Sequence, residues 1–256
     1  MDMNLKIRTI QIVNLIVSAA GLIFFYEPSY LIYSLIAWFI FFHINVGVTL
    51  HRLLSHKSFK VNELSESILS LLTVLSTLGP TLSWVSMHRF HHKHADSDKD
   101  PHSPISNNKL SLRKSVKTIL GIGWNIKESV DIKIVRDLLR GSIHKFIFSH
   151  YFKILALYVI MLMLLDPILV IYLYTLPATL TIAFLGITNV LSHSSGYRNY
   201  ETSDHSTNNI LISIITLGDG WHNNHHAFPN RYYMTSKWYE IDILGAIIWM
   251  IRKRES

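Results

Sequence analysis

Long apolar runs separated by short polar turns organise most of this chain of 256 residues. A helix needs about 20 consecutive apolar residues to cross a bilayer, and several of the runs approach that length. They lie at about 10–26, 30–50, 64–87, 146–165 and 167–188. The pattern predicts an all-α integral membrane protein of the multi-pass kind.

The positions of Lys and Arg predict how the helices are oriented. The turns at 27–29 and 166–167 contain neither residue, whereas basic residues fill the N-terminus, the region 89–145 and the C-terminus. Basic residues concentrate on the cytoplasmic side of membrane proteins, so we expect both termini to be cytoplasmic. The net charge of +7 then reflects topology and contact with anionic lipid, and no nucleic-acid partner is expected.

Four transmembrane helices satisfy this distribution. They are expected at about 10–26, 30–50, 146–165 and 167–188. The remaining segments, about 51–145 and 189–256, then form a cytoplasmic helical cap, and 1–256 is predicted to be a single domain. The apolar run at 64–87 is the exception, because a single crossing would put a bilayer between the histidines on its two sides. We expect a buried or interfacial hairpin there, with a break at Gly79-Pro80.

Three histidine clusters lie beside the apolar runs. They are His51-Arg52-Leu53-Leu54-Ser55-His56, His88-Arg89-Phe90-His91-His92 and His222-Asn223-Asn224-His225-His226. The second and third clusters have i, i+3, i+4 spacing, which puts three imidazoles on one helical face. His51 and His56 are five apart and cannot share a face of a regular helix. Near the end of the fourth run, Asn189 and His193 form a further i, i+4 pair.

This number of imidazoles exceeds what one metal ion can use, so the clusters predict two. The chain has no cysteine, which excludes thiolate ligands and iron–sulfur clusters. It also lacks the H-E-x-x-H motif of zinc enzymes and the Glu-x-x-His motif of carboxylate-bridged di-iron bundles. Two iron ions fit the ligands best. Three carboxylates close to the clusters in sequence are candidates for orienting the imidazoles: Asp96, Asp100 and Asp219.

The three clusters resemble the histidine boxes of the membrane fatty acyl desaturases, the Δ9 type in particular. Their residues are similar to those of the bacterial and cyanobacterial members. The resemblance implies a cytoplasmic cap that holds two Fe²⁺ ions, with O₂ as co-substrate, in a bacterial inner membrane. It also implies nine histidine ligands and one ligand acting through water, Asn189. The nine are His51, His56, His88, His91, His92, His193, His222, His225 and His226.

The resemblance further implies that the protein introduces a cis double bond into an acyl chain. Animal acyl-CoA desaturases of this family carry an Arg-Asp pair before the second box, where this chain has Ser86 and Met87. A lipid-linked or carrier-protein-linked acyl chain is therefore favoured over acyl-CoA. The chain holds no flavin or haem motif, so a separate electron donor is expected, ferredoxin in a bacterium or cytochrome b5 in a eukaryote.

Two alternatives share some of these features. A membrane di-iron hydroxylase or decarboxylase would use the same boxes and differ only in its product. A metal transporter or sensor with a histidine-rich face would need no oxygen chemistry, but the predicted spans carry few polar residues that could form an ion path.

Overall fold

The computed structural model describes residues 2–100, 102–121 and 131–253. Four of its helices are long and apolar enough to cross a membrane, as the hydropathy pattern predicts. They are α1 (Met3–Phe24), α2 (Pro28–Ser55), α6 (Ser142–Leu165) and α7 (Ile168–Ser192). Both α2 and α7 extend four or five residues beyond the predicted ends, because the added residues are largely buried in protein instead of lying in lipid or water. These extensions bring the histidine-bearing ends of both helices into the protein interior.

The four spans divide into an inner and an outer pair. In the most apolar 18-residue stretch of each helix, 50% of the residues are buried in α2 and 44% in α7, whereas only 22% are buried in α1 and in α6. The outer helices therefore present apolar side chains such as Ile23 and Leu164, which are 71% and 82% exposed, to the surroundings. Such surfaces are suited to lipid, and the fold is that of a membrane protein.

The apolar run at 64–87 forms an elbow between α3 (Glu63–Ser76) and α4 (Thr81–His94), whose axes differ by 84°. The predicted break is present: Thr77 and Gly79 adopt positive φ angles of 54° and 93°, and Pro80 precedes the first turn of α4. The elbow does not fold back as the expected hairpin would. Its break is buried inside the protein, where the Tyr151 hydroxyl accepts a hydrogen bond from the Gly79 amide at 3.2 Å, whereas α3 exposes apolar side chains such as Leu64 and Ile68.

The other described elements are short. They are β1 (Ile105–Ser106), its antiparallel partner β2 (Lys109–Leu110), α5 (Leu112–Ile119), a 3₁₀ turn (Leu138–Arg140), α8 (Ile210–Ile215), α9 (His222–Ala227) and α10 (Ile243–Ile251). Helix α5 lies directly on α7 at Gly186, where an added Cβ would come within 2.4 Å of the Ile119 Cα. Close contact between these two helices therefore requires glycine at this position.

The apolar spacing over 126–140 also predicts a helix. The described part of this segment, 131–140, does not form one beyond a single turn. Residues 126–130 lie outside the described residues, 131–137 form turns, and helical winding is limited to Leu138–Arg140. The Ile134 carbonyl accepts a hydrogen bond from Arg89, and that tertiary bond competes with the helical pattern. Gly141, the expected C-cap, is extended (φ −81°, ψ 148°) and leads into α6.

Candidate metal centre

The end of α2 is wound as a π-helix from Phe39 to Ser55. In a π-helix each amide bonds the carbonyl five residues back, and the His56 amide bonds the His51 carbonyl in this way at 3.1 Å. The two rings therefore lie on the same side, with centroids 5.0 Å apart. The five-residue spacing excludes a common face only in a regular helix, and α2 is not regular where it carries the first box.

The structure brings all nine predicted histidines together and separates them into two groups. In each group the nitrogens able to bind a metal lie within 4.8 Å of one another. The five-histidine group contains His51, His56, His88, His92 and His225, and the four-histidine group contains His91, His193, His222 and His226. The second and third boxes each contribute to both groups, so the i, i+3, i+4 spacing serves two sites.

The distances between ring nitrogens fit shared metal ions. The Nε2 atoms of His56 and His88 are 2.8 Å apart, those of His51 and His225 3.0 Å, and those of His193 and His222 3.1 Å. Two ligand nitrogens at right angles around a metal, with bonds of about 2.1 Å, lie about 3.0 Å apart. In addition, the buried Nε2 of His226 has no hydrogen-bond partner among the described residues. The donor set therefore fits a pair of metal ions that accept imidazole ligands.

Burial keeps most of these imidazoles neutral. It lowers the pKa of His56, His88 and His92 well below the usual value, and nearby imidazoles lower each pKa further. The same causes lower the pKa of His222 and His225. Burial also lowers the pKa of His226, to about 4, although Asp204 partly offsets the effect. The pKa of His91 is instead raised, because Asp100 and other nearby carboxylates outweigh its burial. Since only a neutral imidazole has a free lone pair, the six histidines with lowered pKa values are in the protonation state that metal binding needs.

Carboxylates hold the outward-facing nitrogens of three histidines. Asp100 accepts from His91 Nδ1 at 2.9 Å, and Asp96 accepts from His193 Nδ1 at 2.8 Å. Burial opposes ionisation of Asp96, but hydrogen bonds from His193 and Ser103 outweigh it and lower the pKa of Asp96 to about 2. An Nδ1–H bonded to a carboxylate leaves Nε2 free to bind a metal. Both aspartates therefore have the orienting contacts predicted for them.

A third carboxylate of this kind, Asp204, is not predicted by the sequence. Its Oδ2 accepts from His226 Nδ1 at 2.7 Å, the shortest of the three contacts. Asp204 is 22 residues from His226 and lies outside every box, so sequence spacing contains no signal that connects the two.

Asp219 has a different main partner from the one predicted. It lies 3.8 Å from His51 Nδ1, beyond hydrogen-bond distance, and its Oδ1 accepts from Arg52 Nη2 at 2.7 Å. Arg52 is 1% exposed and also binds Asp242 at 2.8 Å and the Tyr232 carbonyl. The arginine of the first box therefore ties α2 to the segment that precedes α10.

The arginine and asparagines of the other boxes also have structural contacts. Arg89 donates to Asp137 at 2.7 Å and to the Ser55 carbonyl at 2.8 Å, which joins the first two boxes. Asn223 accepts the amide N–H groups of residues 199 and 200, and Asn224 donates to Glu240 at 2.8 Å. These asparagines anchor the segment that carries Asp204.

Asn189 lies one helical turn before His193 at the end of α7. Its Nδ2 donates to the His102 carbonyl at 2.8 Å. Its side chain also lines a cavity that reaches both histidine groups. A water-mediated contact to a metal stays a prediction.

A cavity reaches both histidine groups from the apolar interior. The empty space within it is about 710 Å³, with the open solvent at its mouth included. Imidazoles from both groups contribute to its wall, together with five apolar side chains from α2, α4 and α7. The wall consists of Phe42, Val46, His51, Trp84, Met87, His88, His91, His102, Leu185, Thr188, Asn189, Thr216, Asp219 and His222. An extended apolar ligand is the kind of molecule that suits this wall.

Comparison with known proteins identifies the family. The sequence model of the fatty acid desaturase family matches residues 28–249. The chain belongs to the fatty acid desaturase family. Members of this family are oxidoreductases that act on acyl chains, in agreement with the resemblance carried by the three boxes.

Three relatives illustrate the range of acyl carriers in their names. A probable chloroplastic lipid desaturase of Arabidopsis thaliana is 34% identical over 82% of this chain, which spans only 58% of that relative. The sn-1 stearoyl-lipid 9-desaturase of Anabaena variabilis is 30% identical over 81% of this chain and 75% of its own length. The hex-5-enoyl-[acyl-carrier protein] acetylenase of Moorena producens is 30% identical over 82% of this chain and 70% of its own length.

Proposed function

We propose that this desaturase-family protein is an O₂-dependent fatty acyl desaturase that introduces a cis double bond into a saturated acyl chain at the Δ9 position. The observation that carries the proposal is the meeting of two groups of imidazoles that could each hold a metal with one largely apolar cavity. The cavity accounts for an acyl substrate, and the imidazoles account for metal-dependent oxidation of an unactivated carbon chain.

The two histidine groups would each hold one Fe²⁺ ion, with Asn189 as an additional ligand through water. The chemistry that bound iron supplies is the reduction of O₂ to water, coupled to removal of hydrogen from two adjacent methylene carbons. A methylene C–H has no acidity that an ordinary side chain can use, so removal of its hydrogen depends on the metal. The protein's part is to bind and position.

The residues around the histidines have two tasks in this proposal. Asp96, Asp100 and Asp204 keep the Nδ1 protons of their partner imidazoles in place, so that each Nε2 stays available to the metal. Apolar side chains such as Val46 and Leu185 hold the acyl chain and exclude water. Positioning of a flexible chain against the metals then determines which carbons react.

The proposed acyl carrier is a lipid or a carrier protein in preference to coenzyme A. Ser86 is buried, and its Oγ accepts the Asp131 amide at 3.1 Å, so it is committed to a structural contact. Met87 lies in the apolar wall of the cavity. Neither side chain can bind a phosphate or an adenine strongly, and the preference rests on these two residues.

The proposal places both termini and the histidine cap, about 51–145 and 189–256, in the cytoplasm of a bacterial inner membrane, within a single desaturase domain of 1–256. Two electrons per double bond would come from a separate donor, a ferredoxin or cytochrome b5. The absence of Lys and Arg at 27–29 and 166–167, against the basic region 89–145, supports this orientation.

The test is expression in a host with saturated lipids, followed by mass-spectrometric location of new double bonds in each lipid class. We expect a cis Δ9 double bond with the native chain, and none with the His92→Ala, His226→Ala double variant. His150→Ala is the matched control, because this histidine lies on α6 outside both groups. Hydroxylated or chain-shortened products instead of unsaturated ones would refute desaturation and support the hydroxylase or decarboxylase.

A further inference from the structure

The histidine centre has a cavity side and a solvent side. Imidazoles of the cavity wall include His51, His88 and His222, and all three residues are buried. His56 and His92 are absent from the wall and are half-buried, with ring centroids 4.4 Å apart. Both belong to the five-histidine group. In the four-histidine group, His226 is likewise half-buried and absent from the wall, but its side chain is only 2% exposed and is bonded to Asp204. The five-histidine group therefore has two half-buried members outside the acyl cavity, and the four-histidine group has one.

The protein surface next to His56 and His92 is basic. We define the basic edge as residues 56–58, 89–93 and 131–140. Arg89 holds the last of these segments against the first box through Asp137 and the Ile134 carbonyl. The basic edge contains six cationic side chains and two carboxylates. The cations are Lys57, Arg89, Lys93, Lys133, Arg136 and Arg140, and the carboxylates are Asp131 and Asp137.

Most of the positive charge on the basic edge is available to a partner. Lys57 is 56% exposed although it pairs with Asp137 at 2.7 Å. Lys93, Lys133 and Arg136 are exposed. Charge of one sign concentrated on a surface speeds the approach of an oppositely charged protein and orients it before contact.

We propose that the basic edge is the docking surface for a small acidic one-electron carrier protein, and that electrons enter the centre at His56 and His92. The inference rests on the proposed function, which needs an external reductant. For each double bond the acyl chain loses two electrons and two protons, two reduced carriers are each oxidised by one electron, and two protons come from water. Together these four electrons and four protons reduce one O₂ to two H₂O.

The position of the edge suits this role. A carrier bound there reaches the metal ligands through His56 and His92, which do not line the cavity, and so does not compete with the acyl chain. A surface that binds lipid headgroups combines cations with several exposed apolar side chains. The described part of the basic edge exposes one large apolar side chain, Ile132, which favours a protein partner over the membrane.

The test measures binding of a plant-type ferredoxin to the purified, iron-loaded, full-length protein in detergent micelles, by biolayer interferometry at low and moderate salt. The variant is Lys93→Glu with Arg136→Glu. The matched control is Arg113→Glu with Lys117→Glu, which reverses the same charge at two exposed positions on α5, outside the basic edge. Lys93→Gln with Arg136→Gln removes the charge without reversing it.

We expect the first variant to weaken the Kd by about tenfold or more at low salt, because like charges across an interface are strongly unfavourable. The glutamine variant should lose less, and the control should stay within about twofold. Wild-type affinity should fall as salt rises. Oxygen consumption with a small chemical reductant, which needs no docking surface, should be the same in all four proteins.

Equal Kd values for the wild type and the Lys93→Glu, Arg136→Glu variant would overturn the inference. So would a variant that keeps ferredoxin binding but loses binding to phosphatidylglycerol vesicles, since the edge would then serve lipid. Failure of the proposed function gives a different result: ferredoxin would still bind at the basic edge, but no unsaturated acyl chain would form with any donor.

Discussion

Asp204 tests whether carboxylates orient the metal-binding histidines. It lies outside the three boxes, and its role is inferred only from its contact with His226. Its Oδ2 accepts the Nδ1 proton of His226 at 2.7 Å, and its Oδ1 accepts from Thr202 and Ser206. Asp204→Asn keeps the size of the side chain and can keep the Oδ1 contacts. It replaces the charged acceptor that orients His226 within the four-histidine group.

The expected effect of Asp204→Asn is a tenfold to hundredfold loss of affinity for one of two irons. Carboxylates that bond a ligating histidine typically contribute this much to metal affinity, which corresponds to about 1.4–2.7 kcal/mol. Only one iron should be affected, because His226 belongs to one group. The assay is an equilibrium titration of the iron-loaded protein with a ferrous chelator, in which the two irons are removed in separate steps.

Asp98→Asn is the control for this titration, since Asp98 is exposed a few residues after the second box and is not a member of either histidine group. It should leave both steps unchanged. Chelator curves for Asp204→Asn that overlay those of the wild type would refute the reasoning. Equal weakening of both irons would also contradict it, because the effect would then be a general loss of structure.

Three further predictions address the fold, the topology and the pH dependence. Arg52→Met should lower the free energy of unfolding by about 3–5 kcal/mol, because two buried carboxylates lose their cation; a melting temperature in detergent close to that of Arg113→Ala would contradict this. The chain has no cysteine, so the variants Ser29→Cys and Lys109→Cys each carry a single thiol that can be labelled. A membrane-impermeant maleimide added to intact cells should label only Ser29→Cys. Labelling of both variants would exclude the proposed orientation. The pKa of His226 is lowered to about 4, so below about pH 6.5 the unfolded chain takes up a proton that the native state does not. The free energy of unfolding of the metal-free protein should therefore fall by about 1.4 kcal/mol per pH unit through this group between about pH 6.5 and 4. A melting temperature that rises on acidification would contradict this prediction.

Hydropathy was sufficient to predict the four spans because a lipid-facing helix needs apolar side chains over its whole length. The break at Gly79-Pro80 was predictable for an equally local reason, since proline removes a helical hydrogen bond. The angle at that break depends on how α3 and α4 pack inside the protein, and a local pattern does not contain it. The elbow therefore differs from the expected hairpin.

The winding of α2 shows where local rules fail. The spacing of His51 and His56 excluded a common face only for an α-helix, and the π-helical turns bring their rings together. The residues from Val46 to Ser55 are buried on all sides, so tertiary packing supports a winding that helical propensity alone does not favour. Unusual winding of this kind is frequent at functional sites.

The boxes predicted which histidines meet, but not the residues that hold them. The resemblance covered all nine imidazoles, and nearness in sequence was enough to find Asp96 and Asp100. Asp204 and Asp242 act across long stretches of chain, and a single sequence contains no information about such contacts. The division of the nine histidines between two groups likewise depends on how α4 and α9 face each other.

The iron content of the purified protein tests the central claim most directly. We predict two irons per chain in the wild type, without zinc. His225→Ala, in the five-histidine group, and His222→Ala, in the four-histidine group, should each retain one, as measured by mass spectrometry of the metals against protein concentration. A wild type that binds one metal ion per chain, or that binds zinc in place of iron, would contradict the account.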